Sequence, residues 1–166
     1  MAGTVAGIAM GVRFGIGVQL AAYLLFVAVA LPLSAMDMAV RKVPDRILLP
    51  AVPAAVALLA LAAHSAGAYG ALGRALVAGS ATFVAYLALA VASGQLGLGD
   101  CKAAGLCGIY LGFLGAQPAV LGVVAAFVLA ACYALGRRAV GADDDTRTLA
   151  FAPFIFAGAF IAIIVS

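Results

Sequence analysis

The chain contains no glutamate, and charged side chains of any kind make up 9% of its 166 residues. With so few, it cannot cover a water-facing surface, and a soluble globular domain is excluded. A single histidine, His64, leaves no second imidazole with which to build a metal site, and it reads as an interface residue near a helix end. The three cysteines, Cys101, Cys107 and Cys132, form no CxxC pair and fall in or beside apolar runs. They are expected as small buried hydrophobes, so neither a disulfide framework nor a structural zinc is indicated. A soluble basic face with interleaved aromatics is also lacking. The net charge of +3 therefore points to anionic lipid rather than nucleic acid as the partner.

What the chain has in quantity is hydrocarbon: 67% of residues are hydrophobic, and the mean hydropathy is +1.27. Apolar runs of about 17 to 22 residues recur, the length a helix needs to cross roughly 30 Å of bilayer core. Six spans are expected: Gly15 to Met36, Ile47 to Ala63, Ala75 to Ala92, Ala103 to Gly115, Ala119 to Leu135, and Leu149 to Val165. The fourth is short, and its helix is expected to begin earlier, near Gly99, which puts Asp100 in its first turn. The runs do not alternate apolar with polar residues, so a β-barrel does not fit. The fold class is an all-α membrane protein of about six transmembrane helices, forming a single transmembrane domain over residues 1–166. The segment ALPLSA (residues 30–35) has the look of a signal-peptidase site, but the run before it is long and Arg41, Lys42 and Arg46 follow. A retained first helix explains these features better.

Lysine and arginine set the expected topology. With the N-terminus outside, the inner loops hold Arg41, Lys42, Arg46, Lys102, Arg137, Arg138 and Arg147, and the outer side holds Arg13 and Arg74. Seven against two is a positive-inside bias that places both termini outside.

All six acidic residues are aspartates, and all fall on that inner side. Asp37 lies at the inner end of span one, Asp45 at the start of span two, Asp100 at the start of span four, and Asp143, Asp144 and Asp145 in the last inner loop. The DDD run reads as a solvated loop. Asp45 follows Pro44 and precedes an apolar run, as a helix N-cap does. Asp37 has Arg41 one helical turn later as a possible ion-pair partner. Asp37 and Asp100, however, are embedded beside apolar helix ends at the same depth. An acid in that position costs several kcal/mol and marks a functional site by default. Gly97 and Gly99 precede Asp100, and residues without Cβ allow a sharp turn or close approach of another chain.

Three separated segments carry a family resemblance. MDMAVRKVPDRILLP (residues 36–50), GLGDCKAAGLCGIYLG (residues 97–112) and LAFAPFIFAGAF (residues 149–160) resemble the type IV prepilin peptidases, membrane aspartic peptidases of the GxGD kind. The first is similar to their pattern of Asp, a basic stretch, and Pro-Asp leading into a helix. The second is similar to Gly-x-Gly-Asp-x-Lys, and the third to a Pro-Phe segment that opens the last helix. With the six-span layout, the resemblance covers nearly the whole chain. Longer members carry an additional cytoplasmic part with paired cysteines, linked to N-methylation. This chain looks like the short form without a methyltransferase domain, and Ala152 stands where a glycine is common before Pro-Phe.

The resemblance implies an aspartic endopeptidase of the cytoplasmic (inner) membrane, with its active site facing the cytoplasm and no cofactor or metal. Its implied substrate is a prepilin or pseudopilin, cut after a glycine and before the hydrophobic helix. Asp37 and Asp100 are the implied catalytic pair. Two carboxylates a few ångströms apart share a proton, so one can act as base toward water while the other polarises the carbonyl. Which acid takes which role stays open. Gly97, Gly99, Lys102, Pro44, Asp45, Pro153 and Phe154 are the implied motif and positioning residues. Lys102, two positions from Asp100, is turned away from it on a helix and is expected at lipid headgroups or around a basic leader. Pro44 is expected to fix the turn between spans one and two, and Pro153 the start of span six. The alternative is a small proton-coupled transporter or channel using membrane aspartates, although such proteins place their acids near the midplane and often in repeated halves. The Tyr-Asp and Pro-Ala-Leu motifs of presenilin-like proteases are not found.

Overall fold

Apolar runs broken by glycine, proline and charge fold into helices throughout the computed structural model, which describes residues 2–14, 17–41, 43–94, 96–139 and 150–166. In chain order these are α1 (Ala2–Phe14), α2 (Val18–Val40), α3 (Asp45–Ser65), α4 (Tyr69–Ser93), α5 (Leu98–Leu114), α6 (Ala116–Ala139) and α7 (Ala152–Val165). No strand occurs among the described residues. Helices α2, α3, α4 and α6 are each long and apolar enough to cross a bilayer. The protein is therefore an all-α membrane protein; α2 to α7 overlap the six expected spans in order, but only those four reach spanning length, α5 having 17 residues and α7 14 among the described residues.

The boundaries differ in two places that matter. The expected first span begins at Gly15, yet a 13-residue helix, α1, precedes it. At about 1.5 Å per residue α1 is roughly 20 Å long, too short to cross. It instead folds back on α2 and α7, burying Ala6 and Met10. At its other end α2 continues beyond Met36 to Val40, so Asp37 lies inside its last turn. Arg41 then takes a left-handed backbone conformation (φ 52°), and its N–H donates to the Asp37 carbonyl at 2.9 Å, closing the helix.

Helix α5 is the centre of the bundle. Every residue from Asp100 to Phe113 except Lys102 is buried, with α3, α4, α6 and α7 packed around it. Between helices in hydrocarbon there is little hydrophobic driving force, so association rests on close packing, which small residues permit. Gly108 shows how close the packing is: a Cβ there would sit 2.7 Å from Thr82 Oγ1 and 2.9 Å from the Ala78 carbonyl oxygen of α4. An aromatic cluster ties α5 to α2 and α7. The Tyr110 ring lies 5.3 Å from Tyr23 and 5.0 Å from Phe26, and Phe26 lies 6.1 Å from Phe156. Tyr23 also donates its hydroxyl to the Tyr110 carbonyl at 2.8 Å.

Cys101 and Cys107 are buried in α5 as expected, whereas Cys132 is exposed. Helix α6 buries the stripe Pro118, Gly122, Ala126 and Ala130, and Cys132, two residues past that stripe, turns outward. His64 pairs through Nδ1 with the Tyr69 hydroxyl at 2.7 Å across the α3–α4 turn.

The α4–α5 contact yields a first prediction. Gly108→Ala should lower the stability of the detergent-solubilised protein by about 1–3 kcal/mol, because backbone and Thr82 must give way. Gly136→Ala, where an added Cβ meets nothing within 4 Å, should cause no loss. Equal thermal midpoints for the two variants would contradict the packing described.

Candidate active site

Asp37 and Asp100 are the buried charged residues among those described, 4% and 8% exposed. They come from α2 and α5 and meet at the start of α7. The first turn of that helix explains why. Pro153, in the first turn, has no N–H to offer, and the N–H groups of Phe154 and Ile155 donate to the Phe151 carbonyl at 3.1 and 3.2 Å. The Ala152 N–H is left over, as one of the orphan donors of any helix start. It donates to Asp37 Oδ2 at 3.1 Å, in a contact 115 residues apart in sequence. The same N–H lies close enough to Asp100 to interact with it, although its well-formed hydrogen bond goes to Asp37, and the two carboxyl groups interact electrostatically.

Asp100 is fixed by its own helix. Its N–H donates to the Gly97 carbonyl at 3.1 Å, and its Oδ2 accepts the Gly97 N–H at 3.2 Å. This is the acid half of a capping box. Its other oxygen, Oδ1, is buried with no hydrogen-bond partner. The pair therefore stands at the N-termini of two helices, α5 and α7, whose dipoles favour negative charge there.

The two motif glycines separate in role. A Cβ on Gly99 would lie 2.8 Å from Val43 Cβ, so its absence lets the first turn of α5 abut the α2–α3 linker. Gly97 has ordinary extended geometry (φ −80°, ψ 153°), and a Cβ there would meet nothing nearer than 3.6 Å. The close approach at Gly99 is thus to a segment of the same chain, and Gly97 shows none.

Pro44 occupies the N-cap position of α3 (φ −72°, ψ 123°), and its carbonyl accepts the N–H groups of Ile47 and Leu48, both at 3.2 Å. The helix start is thus built by proline backbone, and Asp45, expected as the cap, is the first helical residue and makes no cap bond. Its carboxylate instead takes Lys102 Nζ at 2.7 Å. Lys102, expected at headgroups or a leader, thus joins the start of α5 to the start of α3. This is the ion pair found among the described residues, so Arg41 does not neutralise Asp37. Phe154 packs its ring 5.3 Å from Tyr133 and 6.3 Å from Phe151.

Two features were not readable in the sequence. The Ala152 N–H is a backbone donor and carries no side-chain signature. Tyr86 of α4 is buried and packs against Phe127 and Phe151 at 5.5 and 6.2 Å, beside the start of α7. Its only sequence signal is a hydroxyl in an otherwise apolar run. Asp143, Asp144, Asp145, Arg147 and Lys42 lie outside the described residues. Among the described residues, no group of three His, Cys, Asp or Glu is placed to hold a metal.

A multi-helix membrane protein with two buried acids gathered at two helix starts has the parts of a membrane-embedded hydrolase. The chain belongs to the type IV leader peptidase family, which it matches over residues 24–165. That stretch contains Asp37, Asp100 and Ala152 and leaves α1 outside. Searches of curated proteins and of solved structures return no match. The protein is accordingly a membrane protease of the leader-peptidase type.

The Lys102–Asp45 pair is partly exposed, with side chains 35% and 53% accessible, so its coupling should be small. A double-mutant cycle with Lys102→Ala and Asp45→Asn, read by denaturation in detergent, should give about 0.2–1 kcal/mol. A coupling above about 2 kcal/mol would mean a desolvated pair and contradict the exposure described.

Proposed function

We propose that the protein is an aspartic endopeptidase of the cytoplasmic membrane, acting as one peptidase domain. It removes the basic leader of prepilin or pseudopilin precursors on the cytoplasmic side, after a glycine and before the hydrophobic helix. The observation that carries this reading is the gathering of Asp37 and Asp100, both buried, around the Ala152 N–H. In the reaction, one carboxylate takes a proton from water as the oxygen attacks the scissile carbonyl, and the protonated partner donates to the carbonyl oxygen. The tetrahedral intermediate then collapses as the first carboxyl passes its proton to the leaving nitrogen and an intermediate hydroxyl returns one to the second, which restores the pair, and no covalent enzyme intermediate forms. Asp100 Oδ1 is buried and has no hydrogen-bond partner in the protein, so its bonding capacity is left for water or substrate once the site opens to them. Basic residues flanking the acids on the same side support a cytoplasmic site, because a leader held inside by its own charge meets them there.

Co-expression with a precursor, read as a gel shift for leader removal, tests the reading. Asp37→Asn and Asp100→Asn should accumulate normally while processing falls by about 10²–10⁴-fold or below detection. Asp45→Asn should keep most activity, since its pair with Lys102 is partly exposed and therefore weak, and a metal chelator should change nothing. Full processing by Asp100→Asn at normal protein level would refute the assignment.

Orientation is tested separately by thiol labelling of intact cells in a Cys132→Ser background. Arg41→Cys should be protected from an impermeant reagent and Tyr69→Cys should react. The reverse pattern would place the acids on the outer side and remove the cytoplasmic reading.

A further inference from the structure

A peptide cut just before an apolar helix leaves that helix in the bilayer, directly below the reacting bond. The protein must therefore offer it a surface that starts at the carboxyl pair and descends into hydrocarbon. Among the described residues, three grooves are large enough to consider. One of about 740 Å³ between α4 and α6 includes no residue of α2 or α7, the helices joined by the Asp37–Ala152 bond. A second, of about 560 Å³, runs among α3, α4 and α5 and is lined on α5 by Lys102, Gly105, Leu106 and Ile109. Lys102 is two positions from Asp100, so this groove lies on the far side of α5 from the acid.

The third groove, of about 270 Å³, lies between α2 and α7. Its upper end is formed by Ser34 and Pro153. Ser34 is three residues before Asp37 and so on the same face of α2, and Pro153 follows Ala152. From there the groove descends past Ala30 and Ala157 to Phe26 and Phe160, about 10–12 Å along the two helices at 1.5 Å per residue. That is about two helical turns. A helix segment of that length and about 10 Å width occupies on the order of 900 Å³, so the groove admits the side chains of one helix face and not a whole helix. Small residues on its walls allow the close approach on which helix association in lipid depends.

The same surface already accepts an apolar helix. Helix α1 packs on α2 and α7 and contributes Ala6 to the groove wall, although it lies outside the family match. We propose that the α2–α7 groove, walled by α1, is the docking site for the first two turns of the substrate's hydrophobic helix, with large apolar side chains of one helix face seated in it. The inference rests on the leader-peptidase reading above and adds the subsite that registers the scissile bond at Asp37 and Asp100.

The probe is a synthetic precursor with a basic leader ending in glycine, followed by a Leu/Ala helix of about 20 residues. Single cysteines are placed along its first three turns. The protein carries Cys132→Ser, because Cys132 is the exposed native thiol, and Asp100→Asn to hold the precursor uncut. Ala157→Cys, exposed on the groove edge, is compared with Val84→Cys, exposed in the α3–α5 groove. Ala157→Cys should crosslink to precursor positions recurring every three to four residues within two turns of the cut. The yield should be at least about tenfold above Val84→Cys, as for a docked rather than a diffusing thiol pair. Crosslinking at Val84→Cys in place of Ala157→Cys, or equal yields at both, would overturn the groove assignment while the protein with Asp100 restored still cleaves the precursor. If that Asp100 protein does not cleave it, the leader-peptidase reading falls, and the groove assignment with it.

Discussion

One backbone-to-side-chain hydrogen bond organises the site: the Ala152 N–H donating to Asp37 Oδ2 at 3.1 Å. In hydrocarbon an unsatisfied helix-start donor is expensive, and a carboxylate far from water is more so. Each meets part of the other's need here. Proline at 153 and the turn onto the Phe151 carbonyl leave the Ala152 donor aimed outward from α7, and Asp37, in the last turn of α2, is the acceptor in front of it. This bond fixes the start of α7 against α2, and with it one wall of the space into which Asp100 projects.

The rest of the bundle holds that geometry from behind. Helix α5 is buried along nearly its whole length, and the α4 contact at Gly108 leaves no room for it to slide. The Tyr23, Phe26, Tyr110 and Phe156 rings brace α2, α5 and α7 against one another deeper in the bundle. At the site end, Gly99 against Val43 and Lys102 against Asp45 pin the first turn of α5 to the α2–α3 linker and to α3. Supports of this kind, on rigid helices and away from the reacting groups, keep two acids from drifting apart.

Much of this was legible in the sequence. Run length gave the spans, since hydrocarbon thickness dictates it. The cost of charge in apolar surroundings singled out Asp37 and Asp100 without reference to any relative. The glycines before Asp100 pointed to a need for space at that turn, and at Gly99 the space is taken by Val43 of the same chain. What escaped has physical reasons. Ala152 acts through its amide, and every residue but proline has one. The Lys102–Asp45 pair joins partners 57 residues apart, and neither position advertised the other. Run length marks only helices long enough to span, and α1, at 13 residues, is too short to give that signal yet still packs along α2 and α7. Asp45 after Pro44 has the sequence signature of a side-chain cap, the common device; here the Pro44 carbonyl takes the Ile47 and Leu48 N–H groups instead.

The account depends most on Asp37 being both the acid of the site and the anchor of α7, and stability separates these roles. Asp37→Asn retains an oxygen to accept the Ala152 N–H, whereas Asp37→Leu keeps similar size and leaves the donor buried without an acceptor. Denaturation of the purified protein in detergent should show Asp37→Asn within about 0.5 kcal/mol of the parent and Asp37→Leu less stable by about 1–3 kcal/mol. An Asp37→Leu protein as stable as the parent or more so would mean that α7 is held without this bond and would contradict the account.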